Sequence, residues 1–328
     1  MKKLLIVAII ACLAVCSLGL VACQKEATGE YTLVAPDGAP ALSVSGLIGK
    51  DIDGNKLDVQ VVASSQIAEK AMTSDFAVVP ANLAAKMYNS GEKVKLLASV
   101  TNGNLYIMSN VDKQNATLSD LVGKQVYSIG QGSVPDMVFK TVLTQSSIEF
   151  VVSESVVEGK VAIKYVADGQ EAISSLKAAQ NKSQEAYGII GEPACTAATT
   201  KGLFRAMDLQ NLWKTATSAE QVGYAQAVLI AKGDVVDNTE LLDAVVAAFV
   251  ANEQYIVDNT ADAVAAIKSV YAQSALPDTL APAIVTRCNI KTYDSATYYE
   301  YINATLNAVY SIAPNAVGGK MPDRGLYR

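Results

Sequence analysis

Two stretches of this chain have the residue types and spacing of a turn that holds a ligand. Pro36-Asp37-Gly38-Ala39-Pro40 and Gly130-Gln131-Gly132-Ser133-Val134-Pro135 each close a predicted strand and open a predicted helix with small residues. Glycine lets the backbone come close to a bound molecule. The free N–H groups of the first helical turn then point at it, with the positive end of the helix dipole behind them. Ser133 adds a hydroxyl. An ordinary tight strand-to-helix connection uses the same residues, and either turn alone reads equally well that way. A ligand held between two lobes needs one such turn in each, and the chain has one in each half.

Other candidates sit at predicted strand ends, where ligands bind in open α/β sheets. Asn82, Asn102 and Asn104 offer amides and Glu192 a carboxylate. Their alternative role is to stabilise turns, as Asn commonly does. Tyr224 and Tyr293 could wall a pocket, although core packing is at least as good a reading. The four arginines, Arg205, Arg287, Arg324 and Arg328, all lie outside the candidate turns, so an arginine clamp on a ligand carboxylate is not expected.

Several chemistries are disfavoured at this stage. The chain has no histidine, which removes the commonest general base, the usual zinc ligand and the Ser-His-Asp triad. Gly130-Gln131-Gly132 is half of a GxGxxG fingerprint, with Pro135 where the last glycine belongs. Asp51-Ile52-Asp53-Gly54-Asn55 starts like a calcium loop, but the twelfth position is Val62, so a polar turn is the better reading. Cys195 and Cys288 form no CxxC and read as two unpaired thiols, with one disulfide as the alternative. No catalytic residue, metal site or cofactor is expected.

The elements that position these residues alternate. Strands are predicted at Tyr31–Ala35, Leu57–Ala63, Asp75–Val79, Val94–Val100 and Leu105–Met108, with helices at Ala39–Leu47, Ser65–Met72 and Ala81–Tyr88 between the earlier ones. A second cycle has strands at Gln125–Ile129, Ala162–Val166 and Ala186–Ile190, and helices from Ser133 to about Leu143 and at Gly169–Ala179. Such alternation implies mostly parallel sheets covered by helices. Tyr224–Ala231 reads as a further strand. From Thr239 the apolar residues recur at helical spacing, giving a helical C-terminal tail. The expected crossings between lobes are Asn102–Leu105 and Gly223–Gln226. This divides the chain into lobe 1, residues 30–103 and 225–328, and lobe 2, residues 104–224.

The N-terminus reads as an export signal, with an uncleaved transmembrane anchor as the alternative. Lys2 and Lys3 precede an almost unbroken apolar run, Leu4 to Leu20, which ends in Leu20-Val21-Ala22-Cys23 before the polar Gln24-Lys25-Glu26. This end resembles a bacterial lipobox, which makes residues 1–22 a signal peptide, Cys23 the lipidated residue and 23–29 a tether. The domain is expected at the outer face of the cytoplasmic membrane, or on the periplasmic side in a two-membrane cell. The net charge of −6 becomes −8 once Lys2 and Lys3 are removed with the signal. That balance argues against nucleic acid, which needs a basic face.

Lipobox, two lobes and paired turns together resemble a substrate-binding protein of an ABC transporter. The similarity is to the periplasmic-binding-protein type II group that takes sulfonates, nitrate and thiamine precursors. Tyr-Thr-Leu-Val-Ala-Pro-Asp-Gly-Ala-Pro-Ala at 31–41 resembles that group's first strand and ligand loop. Asp75-Phe-Ala-Val-Val-Pro-Ala-Asn82 resembles its strand-then-helix segment, and Ala186-Tyr-Gly-Ile-Ile-Gly-Glu-Pro193 its second-lobe turn. The resemblance implies a two-lobed α/β receptor that closes on a small molecule and hands it to a permease driven by an ATPase. With the turn and strand-end readings above, the candidate ligand contacts are Pro36, Asp37, Gly38, Ala39, Asn82, Asn102, Asn104, Gly130, Gln131, Gly132, Ser133, Glu192 and Tyr224. The absence of histidine excludes the pyrimidine-synthase branch of the group. A dehydratase-like enzyme on the same fold, or a sensory lipoprotein without a permease, are the alternatives.

Overall fold

The computed structural model describes residues 29–113, 115–219 and 223–328. The export segment and Cys23 lie outside the described residues.

Two sheets organise the chain. The first has seven strands in the order β13-β5-β12-β4-β1-β3-β2. These are β1 (Glu30–Pro36), β2 (Asp51–Ile52), β3 (Asn55–Val62), β4 (Phe76–Pro80), β5 (Val94–Thr101), β12 (Ala227–Lys232) and β13 (Ile290–Asp294). The second has six, in the order β11-β6-β10-β7-β9-β8. They are β6 (Leu105–Ser109), β7 (Gln125–Ser128), β8 (Phe150–Val152), β9 (Val161–Tyr165), β10 (Ala186–Gly191) and β11 (Phe204–Asp208). Sheet membership changes across Asn102-Gly103-Asn104 and again between β11 and β12.

Strand polarity fixes where a ligand can meet both sheets. β1 runs parallel to β3 and β4, while β12 is antiparallel to β4 and to β5. The carboxyl ends of β1, β3, β4 and β5 therefore share one edge. In the second sheet β7, β8, β9 and β10 are parallel and β6 is antiparallel to β10. Its strand ends share an edge with the start of β6, where the chain arrives from the first sheet.

Alternation along the strands fills two cores at once, because both faces of such a sheet are covered. Leu33, Ala35, Phe76 and Val78 pack on one side with the helix Thr239–Asp258, through Leu241, Val245 and Phe249. Val34, Ala77 and Val79 face the other way and join a cluster that continues into the second sheet, through Leu105, Ile107, Val126 and Ile163. The helices Ala81–Asn89, Val134–Gln145, Leu209–Thr217 and Tyr299–Ile312 belong to that shared cluster. One side of the two-sheet assembly is thus a continuous apolar weld.

Two local differences from the sequence reading have physical reasons, and one expected polar turn gains a precise form. Helix Ala39–Leu47 is a four-residue helix, Ala39–Leu42, followed by a 3-10 turn at Ser45–Leu47. Ser43 and Ser45 hydroxyls donate to the Pro40 and Leu42 carbonyls, and Gly46 N–H donates to Asn252 Oδ1, so the backbone is diverted from a helical ladder. The C-terminal tail is not helical throughout: Ile290–Asp294 returns as edge strand β13, bonded to β5. The stretch Asp51–Asn55 turns the β2–β3 hairpin, with Asp53 and Gly54 at φ 49° and 75°, as a two-residue hairpin turn requires.

Candidate ligand site between the sheets

The turn at 36–40 is fastened within its own half of the molecule. Asp37 N–H donates to Val62 O at 2.8 Å, tying the ends of β1 and β3 together. The Asp37 carboxylate accepts from Ser274 Oγ at 2.6 Å and from Ala275 N–H at 2.8 Å. Gly38 has φ 97° and ψ −148°, a conformation only glycine adopts without strain, and Ala39 follows as the first residue of the short helix.

The turn at 130–133 closes on itself. Gly130 and Gly132 have φ 67° and 74°. Ser133 donates from both its N–H and its hydroxyl to Gly130 O, each at 2.9 Å. The carboxylate of Asp136, fully buried in the first turn of helix Val134–Gln145, accepts from Gly132 N–H at 2.9 Å. It also accepts from Lys140 Nζ at 3.0 Å and Tyr165 OH at 2.8 Å. An internal anion thus sits where the helix dipole favours one.

Three contacts join the facing edges. Asn82, at the end of β4, donates from Nδ2 to Gly132 O and to Ala316 O, both at 3.2 Å. Asn104 donates to Glu192 O at 3.3 Å and accepts from Gln226 Nε2 at 3.1 Å, linking both crossings to the turn after β10. Arg287, from the short helix Pro282–Arg287 on the first sheet, donates to Glu192 Oε1 at 2.9 Å and to Thr196 Oγ1 at 3.0 Å. Arg205 reaches the same Oε1 at 2.7 Å from β11, and Thr196 N–H takes Oε2 at 2.9 Å. The Glu192 side chain has no exposed surface, while the two arginines keep about a third of theirs.

The arginines thus depart from the sequence expectation in an instructive way. A two-arginine clamp on a carboxylate does exist, and the carboxylate is the protein's own. The signal was invisible locally, since Arg287 and Glu192 are 95 residues apart. Asp136 was also missed. An acid three residues after Ser133 at a helix start is close to a capping box and was the available signal.

The remaining candidates take structural partners. Asn102 Oδ1 accepts from Ser99 Oγ at 2.6 Å and its Nδ2 donates to Lys291 O at 2.6 Å; Asn289 Nδ2 donates to Asn102 O. Tyr224 is fully buried edge-on to Trp213, with its hydroxyl donating to Gln210 Oε1 at 3.1 Å. Burial pushes its phenol well above the ordinary value. Tyr293 packs with Tyr298 and Tyr301 at ring separations of 4.6 and 5.2 Å. Gln131 is exposed. Cys195 and Cys288 are unpaired, and burial pushes both thiols up to about 12.

Four buried polar atoms near these strand ends have no hydrogen-bond partner: Asn82 Oδ1, Thr101 Oγ1 at the end of β5, Ser128 Oγ at the end of β7, and Tyr301 OH. Tyr301 OH lies 3.5 Å from where a Cβ on Gly223 would stand, beside the second crossing. Among the described residues no cluster of acidic or cysteine side chains has metal-binding spacing.

No protein-family model matches the chain, and no curated protein matches it in sequence. Solved structures do. An ABC transporter protein from Parabacteroides distasonis is 22% identical with a TM-score of 0.71, over 91% of this chain and 98% of that one. The periplasmic aliphatic sulphonate binding protein SsuA from Escherichia coli is 15% identical with a TM-score of 0.65, over 92% and 99%. The alkanesulfonate-binding protein SsuA from Xanthomonas axonopodis, solved with MOPS, is 15% identical with a TM-score of 0.59, over 92% and 97%. Two α/β sheets meeting at their strand ends, over nearly the full length of each counterpart, give this chain the fold of the periplasmic sulfonate-binding components of ABC transporters.

Proposed function

We propose that the protein is an extracytoplasmic solute-binding lipoprotein of an ABC importer. One observation carries the reading: the carboxyl-terminal strand edges of two sheets face each other and are joined by side chains from both, Asn82 on Gly132 and Arg287 on Glu192. A small molecule entering between those edges would contact both lobes. Such a ligand stabilises the closed arrangement by its differential affinity for it. Lobe 1 is residues 30–103 with 225–328, and lobe 2 is 104–224. The shared apolar cluster serves as the pivot, and the polar seam opens. Cys23 anchors the receptor to the membrane, and a permease with its ATPase takes the solute from the closed form. The protein performs no turnover. The fold shared with transport components supports this reading, as does the engagement of Asp37, Asp136 and Glu192 in structural bonds rather than as free acids or bases.

A thermal-shift panel of sulfonates, carboxylates, pyrimidines and amines tests receptor function. At a hundred times its dissociation constant a specific ligand adds about 2.7 kcal/mol, which raises the melting temperature by several degrees. A panel without any stabilising member counts against the receptor. Anchoring is tested separately by labelling cells with radioactive palmitate: the label should vanish in Cys23→Ser, and undiminished label would remove the lipobox reading.

A further inference from the structure

The two faces of the sheet pair are joined by different means. On one face a single apolar cluster runs through both sheets, taking in Ala84, Val138 and Leu306. On the other face the core is divided. Leu33, Phe249 and Cys288 belong to a cluster built on the first sheet, and Met108, Leu176 and Cys195 to one built on the second. Apolar packing does not connect these two clusters among the described residues. Parting the lobes on this face therefore breaks polar bonds and no shared core.

Arg287 crosses that face. It ends the helix Pro282–Arg287, whose Val285 is rooted with Cys288 in the first-sheet cluster. Its guanidinium donates to Glu192 Oε1 and Thr196 Oγ1 on the second sheet. The Glu192 carboxylate has three further bonds, all from its own lobe: Arg205 Nη2 and Thr196 Oγ1 donate to Oε1 at 2.7 and 2.8 Å, and Thr196 N–H donates to Oε2 at 2.9 Å.

This sharing sets the cost of separation. Breaking a buried ion pair is expensive when it strands a charge. Here the buried carboxylate keeps Arg205 and Thr196 when Arg287 leaves. Arg287 already has about a third of its side chain exposed and can turn to water. The bond is strong enough to bias an equilibrium and cheap enough to open.

Resting on the receptor reading, we propose that Arg287 is a detachable latch that closes the lobes without ligand, by docking on a carboxylate the second lobe has already paired. The ligand then supplies only the remainder of the closing free energy. Its apparent affinity rises and falls with the closed share of the free protein.

Pulsed electron–electron resonance on the full-length, ligand-free protein in detergent tests this. Spin-labelled ketone residues replace Ala265, on the helix Thr260–Val270 of lobe 1, and Ser174, on the helix Gly169–Asn181 of lobe 2; both positions are exposed. The closed population gives the shorter distance. Arg287→Gln should lower the closed-to-open ratio by roughly 3- to 30-fold, the range for one partly exposed charge-assisted bond. Arg287→Lys, which keeps the charge, should lower it less. Arg205→Gln should raise it, because Glu192 then has a cation only when the lobes are closed. Raising salt from about 0.01 to about 1 M, which shortens the screening length about tenfold, should lower the ratio in the unaltered protein more than in Arg287→Gln. A ratio unchanged or raised in Arg287→Gln overturns the latch, as does equal salt dependence with and without Arg287. A fall in Arg205→Gln like that in Arg287→Gln also overturns it. Should Arg205→Gln not fold, the two Arg287 variants and the salt series decide. None of these measurements uses a ligand, so the thermal-shift panel alone judges the receptor.

Discussion

The turns at 36–40 and 130–133 both pass from a strand to a helix through glycine and have opposite constructions. In the first, Gly38 opens a helix of only four residues, and the acid, Asp37, reaches out to Ser274 and Ala275, more than 230 positions away in sequence. In the second, the glycines precede a twelve-residue helix, and the acid, Asp136, folds back onto the turn itself. The first turn is a bracket that holds a distant loop. The second is a self-capped helix start whose carbonyl, Gly132 O, is offered across the seam to Asn82. Small residues before a helix therefore say where backbone can approach a neighbour. The nearest acid decides which N–H it occupies, that of Gly132 for Asp136 and that of the distant Ala275 for Asp37.

The largest effect should come from removing the acid of the self-capped turn. Asp136→Ala leaves Gly132 N–H and Tyr165 OH without their acceptor, and leaves the Lys140 ammonium with only the Tyr165 hydroxyl and no counter-charge. Lys140 keeps only 14% of its side chain exposed, so water compensates poorly. Breaking a buried ion pair of this kind costs about 3–5 kcal/mol. Urea unfolding should show a lower midpoint at an unchanged slope, and Asp136→Asn, which keeps an accepting oxygen, should lose less. A loss for Asp136→Ala below about 1 kcal/mol would show that the turn does not depend on its internal anion.

The contrast also explains what the sequence could and could not convey. Strands such as Phe76–Pro80 and Ala186–Gly191 are short apolar runs, and the helix Gly169–Asn181 starts at an Asp168 cap that accepts from Gln170 and Glu171 N–H. These are local signals, and the α/β alternation follows from them. The elements that escaped have weak local signals. Ile290–Asp294 is a half-exposed edge strand with irregular pairing. Leu209–Thr217 contains Asn and two threonines, poor helix formers, and depends on the Asp208 cap and on burying Leu209 and Trp213. At the site, glycines and strand-end amides were legible because their residue types are unusual at those positions. The pairing of Arg287 with Glu192 was not, because tertiary folding alone brings them together. Asp136 was legible in principle, and its carboxylate changes what the turn beside it can bind.

Alanine at the glycines probes the same comparison with a smaller effect. Gly38, at φ 97° and ψ −148°, lies in a region that is nearly glycine-only, so Gly38→Ala should cost about 1–3 kcal/mol. Gly132, at φ 74°, is in the left-handed region, where a side chain costs about 1–2 kcal/mol, and an added Cβ would meet nothing within 4 Å. Gly38→Ala is therefore expected to lower the urea midpoint more than Gly132→Ala. The reverse order would mean that the second turn, for all its open space, is the more constrained of the two.

The smallest effect belongs to the acid of the bracket. Asp37→Asn keeps an oxygen that can accept one bond and loses the charge that strengthens both. Its partners, Ser274 and Ala275, lie on a loop, where an unpaired N–H can turn to water; Ala275 N–H reaches Asp37 from an exposed position. The global loss should therefore be only about 0.5–1.5 kcal/mol. The informative readout is local. Amide hydrogen exchange at Ala275 should quicken by roughly tenfold, as expected when a hydrogen bond that limits local opening is weakened. Exchange at Gly132 should not change, because its acceptor is Asp136 and no bond of the first turn reaches it. Quickening at both amides would show the two turns to be coupled across the seam, as parts of one closing unit. Quickening at Ala275 alone would confirm that the bracket and the self-capped turn are held by separate means.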